Sequence, residues 1–165
     1  MKIVSIKETT KKQLQSFDCG TEELNDYLKR YALQNDKKNI GKTFAAEENE
    51  EIIGFYTLSN AQIGFEELSD EQLKGLPKYP IPCIRIARLA IDKRYQHNGI
   101  GSLLLKDAFL RIVNISHHTG IYFVVVDAKQ QSIDFYRHYG FIPLKEKKQT
   151  YVLPIKTIQK AIDGN

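Results

Sequence analysis

The segment from Cys83 to Val126 constrains the fold more than any other part of the chain. Residues 83–91 are apolar and rich in β-branched side chains, a strand interrupted by Arg85 and Arg88. Past Asn98, Ile100, Leu103, Leu104, Ala108 and Ile112 recur along one broad helical stripe. Ile121-Tyr-Phe-Val-Val-Val126 is a continuous apolar run of strand length, the pattern of a strand buried on both faces. A strand, a helix and a strand in this order predict a crossover that leaves the two strands parallel.

The flanking sequence extends the same plan. Residues 2–7 read as a short strand. Thr21, followed by Glu22 and Glu23, signals a helix start, with Leu24, Tyr27, Leu28 and Tyr31 on one face. Residues 43–47 and 51–59 form a hairpin joined at Glu48-Asn49-Glu50. A short surface helix is expected over 66–74, and another over 131–139, closed by Gly140 in a left-handed cap. Strands over 141–144 and 150–153 and a helix over 155–162 complete the chain. The expected class is α/β (α+β), in one layered domain spanning residues 1–165.

Composition narrows the function. Hydrophobic residues at 42% suffice for a core, and no apolar run approaches the ~20 residues needed to span a bilayer. The opening MKIVSIKETTKK has no apolar signal core, so no export and no membrane partner are expected. Cys19 and Cys83 form no CxxC or Cys/His cluster, which predicts no metal site, no disulfide and a reducing, cytoplasmic setting. The net charge of +4 is unevenly spread: residues 47–71 carry eight acids and no base. The basic excess lies on both sides of that block. It suits an anionic ligand, nucleic acid or a solvated surface.

Chemistry concentrates between the first strand of the crossover and its helix, in Arg88-Leu-Ala-Ile-Asp-Lys-Arg-Tyr-Gln-His-Asn-Gly-Ile-Gly-Ser102. The first amides of a helix lack internal partners, and the helix dipole is positive there. Gly99 and Gly101 let the backbone approach a ligand, so the loop suits phosphate. It is not a P-loop, because Gly101 is followed by Ser102 and Leu103 rather than Lys and Ser/Thr. The dinucleotide fingerprint also fails, since its third small residue would fall on Leu104.

The remaining motif, Gln96-x-x-Gly99-x-Gly101, resembles the signature of the GNAT family of acetyl-CoA-dependent N-acetyltransferases. Arg88-Leu-Ala-Ile-Asp92 and Phe135-Tyr-Arg-His-Tyr-Gly-Phe141 match the family's preceding strand and later helix-to-strand element. The resemblance implies a mixed, twisted sheet of six to seven strands flanked by helices, its central parallel strands splayed to admit acetyl-CoA. It implies pyrophosphate contacts from Gln96, His97, Asn98, Gly99, Ile100, Gly101 and Ser102, mostly through backbone. Leu89, Ala90 and Ile91 would pair their backbone with the pantetheine arm, and Tyr136 would protonate the departing thiolate. Lys129 and Ser132 depart from the Asn and Ala common before the Phe-Tyr pair.

A narrower resemblance runs almost end to end. Phe17-Asp-Cys-Gly-Thr-Glu-Glu-Leu-Asn-Asp-Tyr-Leu28, Gly54-Phe-Tyr-Thr-Leu-Ser59, Arg88-Leu-Ala-Ile-Asp92 and Val126-Asp-Ala128 look like the GNAT-type toxins of toxin–antitoxin modules. That likeness implies an aminoacyl-tRNA acceptor, a small DNA-binding antitoxin and a homodimer. The residues offer an independent argument. The strand over 83–91 holds no carboxylate to act as a base. An α-amine loses its proton about 2.5 units more easily than lysine, or roughly 3.4 kcal/mol, and suits such a site better. Lys37, Lys38, Lys42, Arg85, Arg88, Lys93 and Arg94 are candidates to hold RNA phosphates. An enzyme for a small-molecule or protein amine, and a non-catalytic CoA-binding regulatory domain, remain alternatives. His117-His118 reads as a solvated helix end, and both cysteines as small core residues.

Overall fold

The computed structural model describes residues 1–164, among which β1 (Lys2–Ser5), β2 (Lys42–Glu48), β3 (Glu51–Ile63), β4 (Ile81–Ile91), β5 (Phe123–Asp127), β6 (Ile142–Pro143) and β7 (Thr150–Pro154) form a sheet in the order β1-β2-β3-β4-β5-β7-β6. The chain divides into two compact units. The first comprises residues 1–59 and 86–109, the second residues 60–85 and those from 110 onward. The long strands β3 (Glu51–Ile63) and β4 (Ile81–Ile91) each pass from one unit into the other.

In the first unit β1 (Lys2–Ser5) pairs antiparallel with β2 (Lys42–Glu48), and β2 with β3. The β2–β3 turn matches the sequence reading. Asn49 and Glu50 both have positive φ, 50° and 62°, as a two-residue type I′ turn requires. Helix α1 (Lys11–Gln15) begins on a reciprocal cap. The Gln13 amide donates to Thr10 Oγ1, and the Thr10 amide donates to the Gln13 side chain at 2.9 Å.

The next helix departs from its predicted face. It runs as α2 (Glu22–Asp26), a π turn (Tyr27–Tyr31) and α3 (Ala32–Lys37). Thr21 precedes it, but its hydroxyl makes no capping bond. The wider π turn inserts a residue and rotates the rest of the helix by roughly 100°. Tyr31 therefore lies 50% exposed, and Ala32 takes the buried place. Tyr27 and Leu28 stay in the core with Phe17, Ile52 and Phe55, and Tyr27 stacks on Phe55 with ring centres 6.3 Å apart.

The second unit has its own core, built from Ile63, Leu68, Ile81, Cys83, Phe123, Val125, Leu144 and Val152. The predicted helix over 66–74 is two pieces, a 3-10 turn (Phe65–Glu67) and α4 (Asp70–Leu73). Ser69 caps the second piece by accepting from the Gln72 amide, and Leu68 between them is buried. Strand β5 (Phe123–Asp127) pairs antiparallel with β7 (Thr150–Pro154), which also carries the short β6 (Ile142–Pro143). The Tyr122 amide donates to the Pro82 carbonyl, and Arg85 further along β4 meets Asp127 further along β5. The two strands thus run in the same direction, as the crossover predicted. Gly140 has φ 94° and closes α6 (Ile133–His138), and α7 spans Ile155–Ile162 as expected.

Helix α5 (Ile100–Ser116) buries Leu104, Leu105, Ala108 and Ile112. Leu103, assigned to that stripe from sequence, is 47% exposed. Within the first unit, α5 comes close to β3 at Gly54. A Cβ there would sit 3.0 Å from both Leu104 Cδ1 and Ile91 Cδ1 and 3.2 Å from the Ala90 carbonyl oxygen. Gly54→Ala is expected to cost about 1–3 kcal/mol of stability through overpacking. Urea unfolding of the variant checks this; an unchanged midpoint would show that the contact relaxes freely.

Candidate active site

The phosphate-loop candidate belongs to the first unit. After β4 ends at Ile91, a 3-10 turn (Lys93–Tyr95) leads into Gln96-His97-Asn98-Gly99 and α5. His97 and Gly99 have φ 65° and 81°, so the chain adopts left-handed backbone twice within three residues. A Cβ on Gly99 would meet nothing within 4 Å, so backbone conformation rather than crowding selects glycine. The Leu103 amide donates to the Gly99 carbonyl at 3.2 Å. The amides of Ile100, Gly101 and Ser102 precede that bond and have no partner within the helix. Residues 96–99 are exposed and residues 100–102 half-buried, which leaves the end of the helix open to an anion.

This loop is braced by Asp92, Asp18 and Asn25, to which the sequence reading gave no role, together with Lys93, Arg94 and Gln96, which it had assigned to ligands. Asp92 is 1% exposed, and its carboxylate accepts from the Asp18 and Arg94 amides at 3.1 and 2.9 Å and from the Arg94 guanidinium at 3.0 and 3.1 Å. Asp18 in turn accepts from the Gly20 amide and Asn25 Nδ2, both at 2.9 Å, and pairs with Lys93 Nζ at 3.0 Å. Buried Asn25 accepts from the Cys19 amide at 2.8 Å. Gln96 Nε2 donates to the Cys19 and Ile91 carbonyls at 3.1 and 2.9 Å. The Gln96 side chain is thus spent on the protein, and what it offers a ligand is backbone. Asp92 immediately before the Lys93–Tyr95 turn is a local hydrogen-bond former, and that was the available signal for this network.

The network sets the charge of Asp92. Burial pushes its carboxyl up, but the Arg94 side chain and amide, with the Asp18 amide, outweigh burial and hold it below the usual range. Asp18 is held well below that range by hydrogen bonds from Asn25, the Gly20 amide and Lys93.

Tyr136 lies in the second unit, on α6, and is 7% exposed. Phe135 and Phe141 pack edge-on against its ring at centroid distances of 5.1 and 5.4 Å. Burial pushes its phenol up to about 12. Among the described residues no fully buried side-chain oxygen or nitrogen lacks a hydrogen-bond partner. Cys83 is also a core residue; burial raises its thiol to about 11, which disfavours the nucleophilic thiolate.

The basic candidates separate into two groups. Lys37 and Lys38 are exposed at the end of α3. The others are engaged within the protein. Lys42 Nζ donates to the Asp36 carbonyl and to Asn39 Oδ1 at 3.0 and 2.9 Å, and Arg88 stacks 3.6 Å over the Tyr27 ring. Lys93 pairs with Asp18, Arg94 with Asp92 and Glu51, and Arg85 with Asp127. On β4, Leu89 and Ile91 are half-buried and Ala90 is buried.

The Acetyltransferase (GNAT) domain family matches residues 6–156. The chain is similar to the tRNA-acetylating toxin of Mycobacterium tuberculosis, with 32% identity over 127 residues, or 76% of each chain. Among solved structures, AtaT complexed with acetyl-methionyl-tRNAfMet has a TM-score of 0.88 at 28% identity, covering 98% of both chains. A tyrosine-to-phenylalanine mutant of AtaT, bound to the C-terminus of the antitoxin AtaR and acetyl-CoA, has a TM-score of 0.80 at 26% identity. That match covers 98% of this chain and 97% of the other.

Asp92→Asn is expected to lower stability at pH 7 by about 1.5–3 kcal/mol, the worth of hydrogen bonds to a charged group. Because the folded carboxyl lies below its unfolded value, the wild-type advantage is present above about pH 4 and fades as pH falls further. Urea unfolding at pH 7 and pH 3 measures both. A deficit of equal size at the two pH values would contradict the assignment.

Proposed function

Because the chain belongs to the GNAT family of acetyltransferases, we propose that it transfers the acetyl group of acetyl-CoA to the α-amine of aminoacyl-tRNA. In this reading it acts as a translation-blocking toxin, restrained by a small DNA-binding antitoxin. The observation that carries the reading is the similarity to a tRNA-acetylating toxin across three quarters of the chain. The loop chemistry fits the donor: unpartnered amides at a helix N-terminus, held open by left-handed backbone at His97 and Gly99, suit a pyrophosphate.

Acetyl-CoA supplies an activated acetyl thioester. The protein's part is to bind it, orient it and manage protons. Residues 96–102 hold the phosphates through backbone, and Asp92 with Gln96 keeps that backbone in place. The backbone of Leu89, Ala90 and Ile91 lines up the donor's arm.

Tyr136 holds a proton at its phenol oxygen for the leaving thiolate. A phenol pushed to about 12 keeps its proton throughout the neutral and mildly alkaline range. The same desolvation that raises a phenol raises a thiol, as Cys83 shows at about 11. A thiolate leaving into apolar surroundings would be disfavoured as an anion and would take up a proton readily.

The RNA side of the reading rests most directly on Lys37 and Lys38, which are exposed cations at the end of α3. Lys42, Arg85, Arg88, Lys93 and Arg94 would have to serve RNA while keeping their partners within the protein.

Tyr136→Phe is expected to lower turnover roughly 10²–10⁴-fold, the usual range for a general acid, with acetyl-CoA affinity nearly unchanged. Growth arrest on expression should disappear with it. Unchanged turnover would remove Tyr136 from the chemistry. Gly99→Val forces a β-branched residue into φ 81°. Acetyl-CoA binding should then weaken by about tenfold, for a strain of roughly 1–2 kcal/mol, which titration calorimetry would show. Wild-type affinity in that variant would mean the loop does not hold the donor.

A further inference from the structure

The strand over 83–91 offers no carboxylate, but the structure brings one to it from β5. Asp127 ends a strand whose other residues, Phe123 to Val126, are buried, yet its own side chain is 60% exposed. Both of its oxygens are oriented by neighbouring strands. Arg85 Nη1 of β4 binds Oδ2, and Thr150 Oγ1 of β7 donates to Oδ1 at 2.8 Å. Thr150 is buried and faces Asp127 directly in the β5–β7 register. A carboxylate has about four acceptor positions, so roughly two remain for a ligand. The same strand end leads, through Ala128 and a 3-10 turn (Gln130–Ser132), into the helix that carries Tyr136.

We propose that Asp127, held by Arg85 and Thr150, anchors the acceptor amine. The inference rests on the acetyltransferase reading and assigns the acceptor side of that reaction. A primary α-amine with a pKa near 8 arrives at neutral pH largely as an ammonium, which a fixed carboxylate binds and orients. In the transfer, nitrogen bonds to the carbonyl carbon of an acyl thioester as the carbon–sulfur bond breaks. The ammonium has by then given one proton to water. The neutral amine gives its second to Asp127, and the thiolate takes the Tyr136 proton. Solvent then returns a proton from the Asp127 carboxyl to the Tyr136 phenolate, so the products are an amide and a free thiol.

The test compares binding of the full chain to bulk aminoacyl-tRNA and to the same RNA after nitrous acid has converted its α-amines to hydroxyls. Wild-type protein is expected to prefer the amine by roughly ten- to a hundredfold, the value of a charge-assisted hydrogen bond. Asp127→Asn keeps the shape and an oxygen for Thr150; it should bind the two RNAs alike, with the fold retained by circular dichroism and acetyl-CoA affinity close to wild type. Thr150→Val leaves the charge but frees one oxygen, and should reduce the preference only several-fold. An Asp127→Asn protein that retains the full preference overturns the proposal, as does a wild type that shows none. If the wild type binds neither RNA but acetylates another amine, the aminoacyl-tRNA reading fails. The same amine-to-hydroxyl comparison on that acceptor then decides the role of Asp127.

Discussion

The buried Asp92 carboxylate is the interaction on which the first unit's functional end depends. A loop that binds an anion through backbone amides must leave those amides unpaired, and unpaired backbone does not hold its own shape. Asp92 resolves that conflict from behind the loop. It ties the end of β4 to the segment before α2 through the Asp18 amide, while Arg94 satisfies the rest of its charge. Gln96 adds a second tie, to the Cys19 and Ile91 carbonyls. Fixed side chains thus hold the loop in shape, and the amides of Ile100, Gly101 and Ser102 stay available.

The second unit applies burial to a different end. The apolar surroundings of Tyr136 raise its phenol and keep it protonated. Asp127 contrasts with it. Its carboxylate is exposed and held by polar partners on the strands to either side. The two groups lie at opposite ends of one short connection and differ in solvation, the contrast on which the proposed roles of proton donor and amine anchor rest.

Much of this plan was legible in the sequence because period and turn chemistry are local. The crossover from β4 through α5 to β5 followed from its apolar pattern, and the Asn49-Glu50 turn and the Gly140 cap followed from residue type. Features set by tertiary packing were not legible. The π turn over Tyr27–Tyr31 carries no residue signature, so the helical face projected through it placed Tyr31 inside and overlooked Ala32. Thr21 had the right identity for a cap, but Asn25 binds the Cys19 amide and the Asp18 carboxylate instead. The candidate site residues followed the same division. Gly99 and Gln96 stood out by spacing, whereas Asp127 acquires its setting only when β4 and β7 flank β5. The charge pattern also changed meaning once partners were visible. Five of the seven basic candidates are engaged within the protein, and Lys37 and Lys38 are exposed at the end of α3.

The most direct test of the central claim uses purified protein, labelled acetyl-CoA and bulk aminoacyl-tRNA. The account predicts label in the RNA fraction, attached to the amino acid as an N-acetyl group and released from the RNA by mild base together with that amino acid. Label that appears only in protein or in small-molecule amines, with charged tRNA left unmodified, would contradict it.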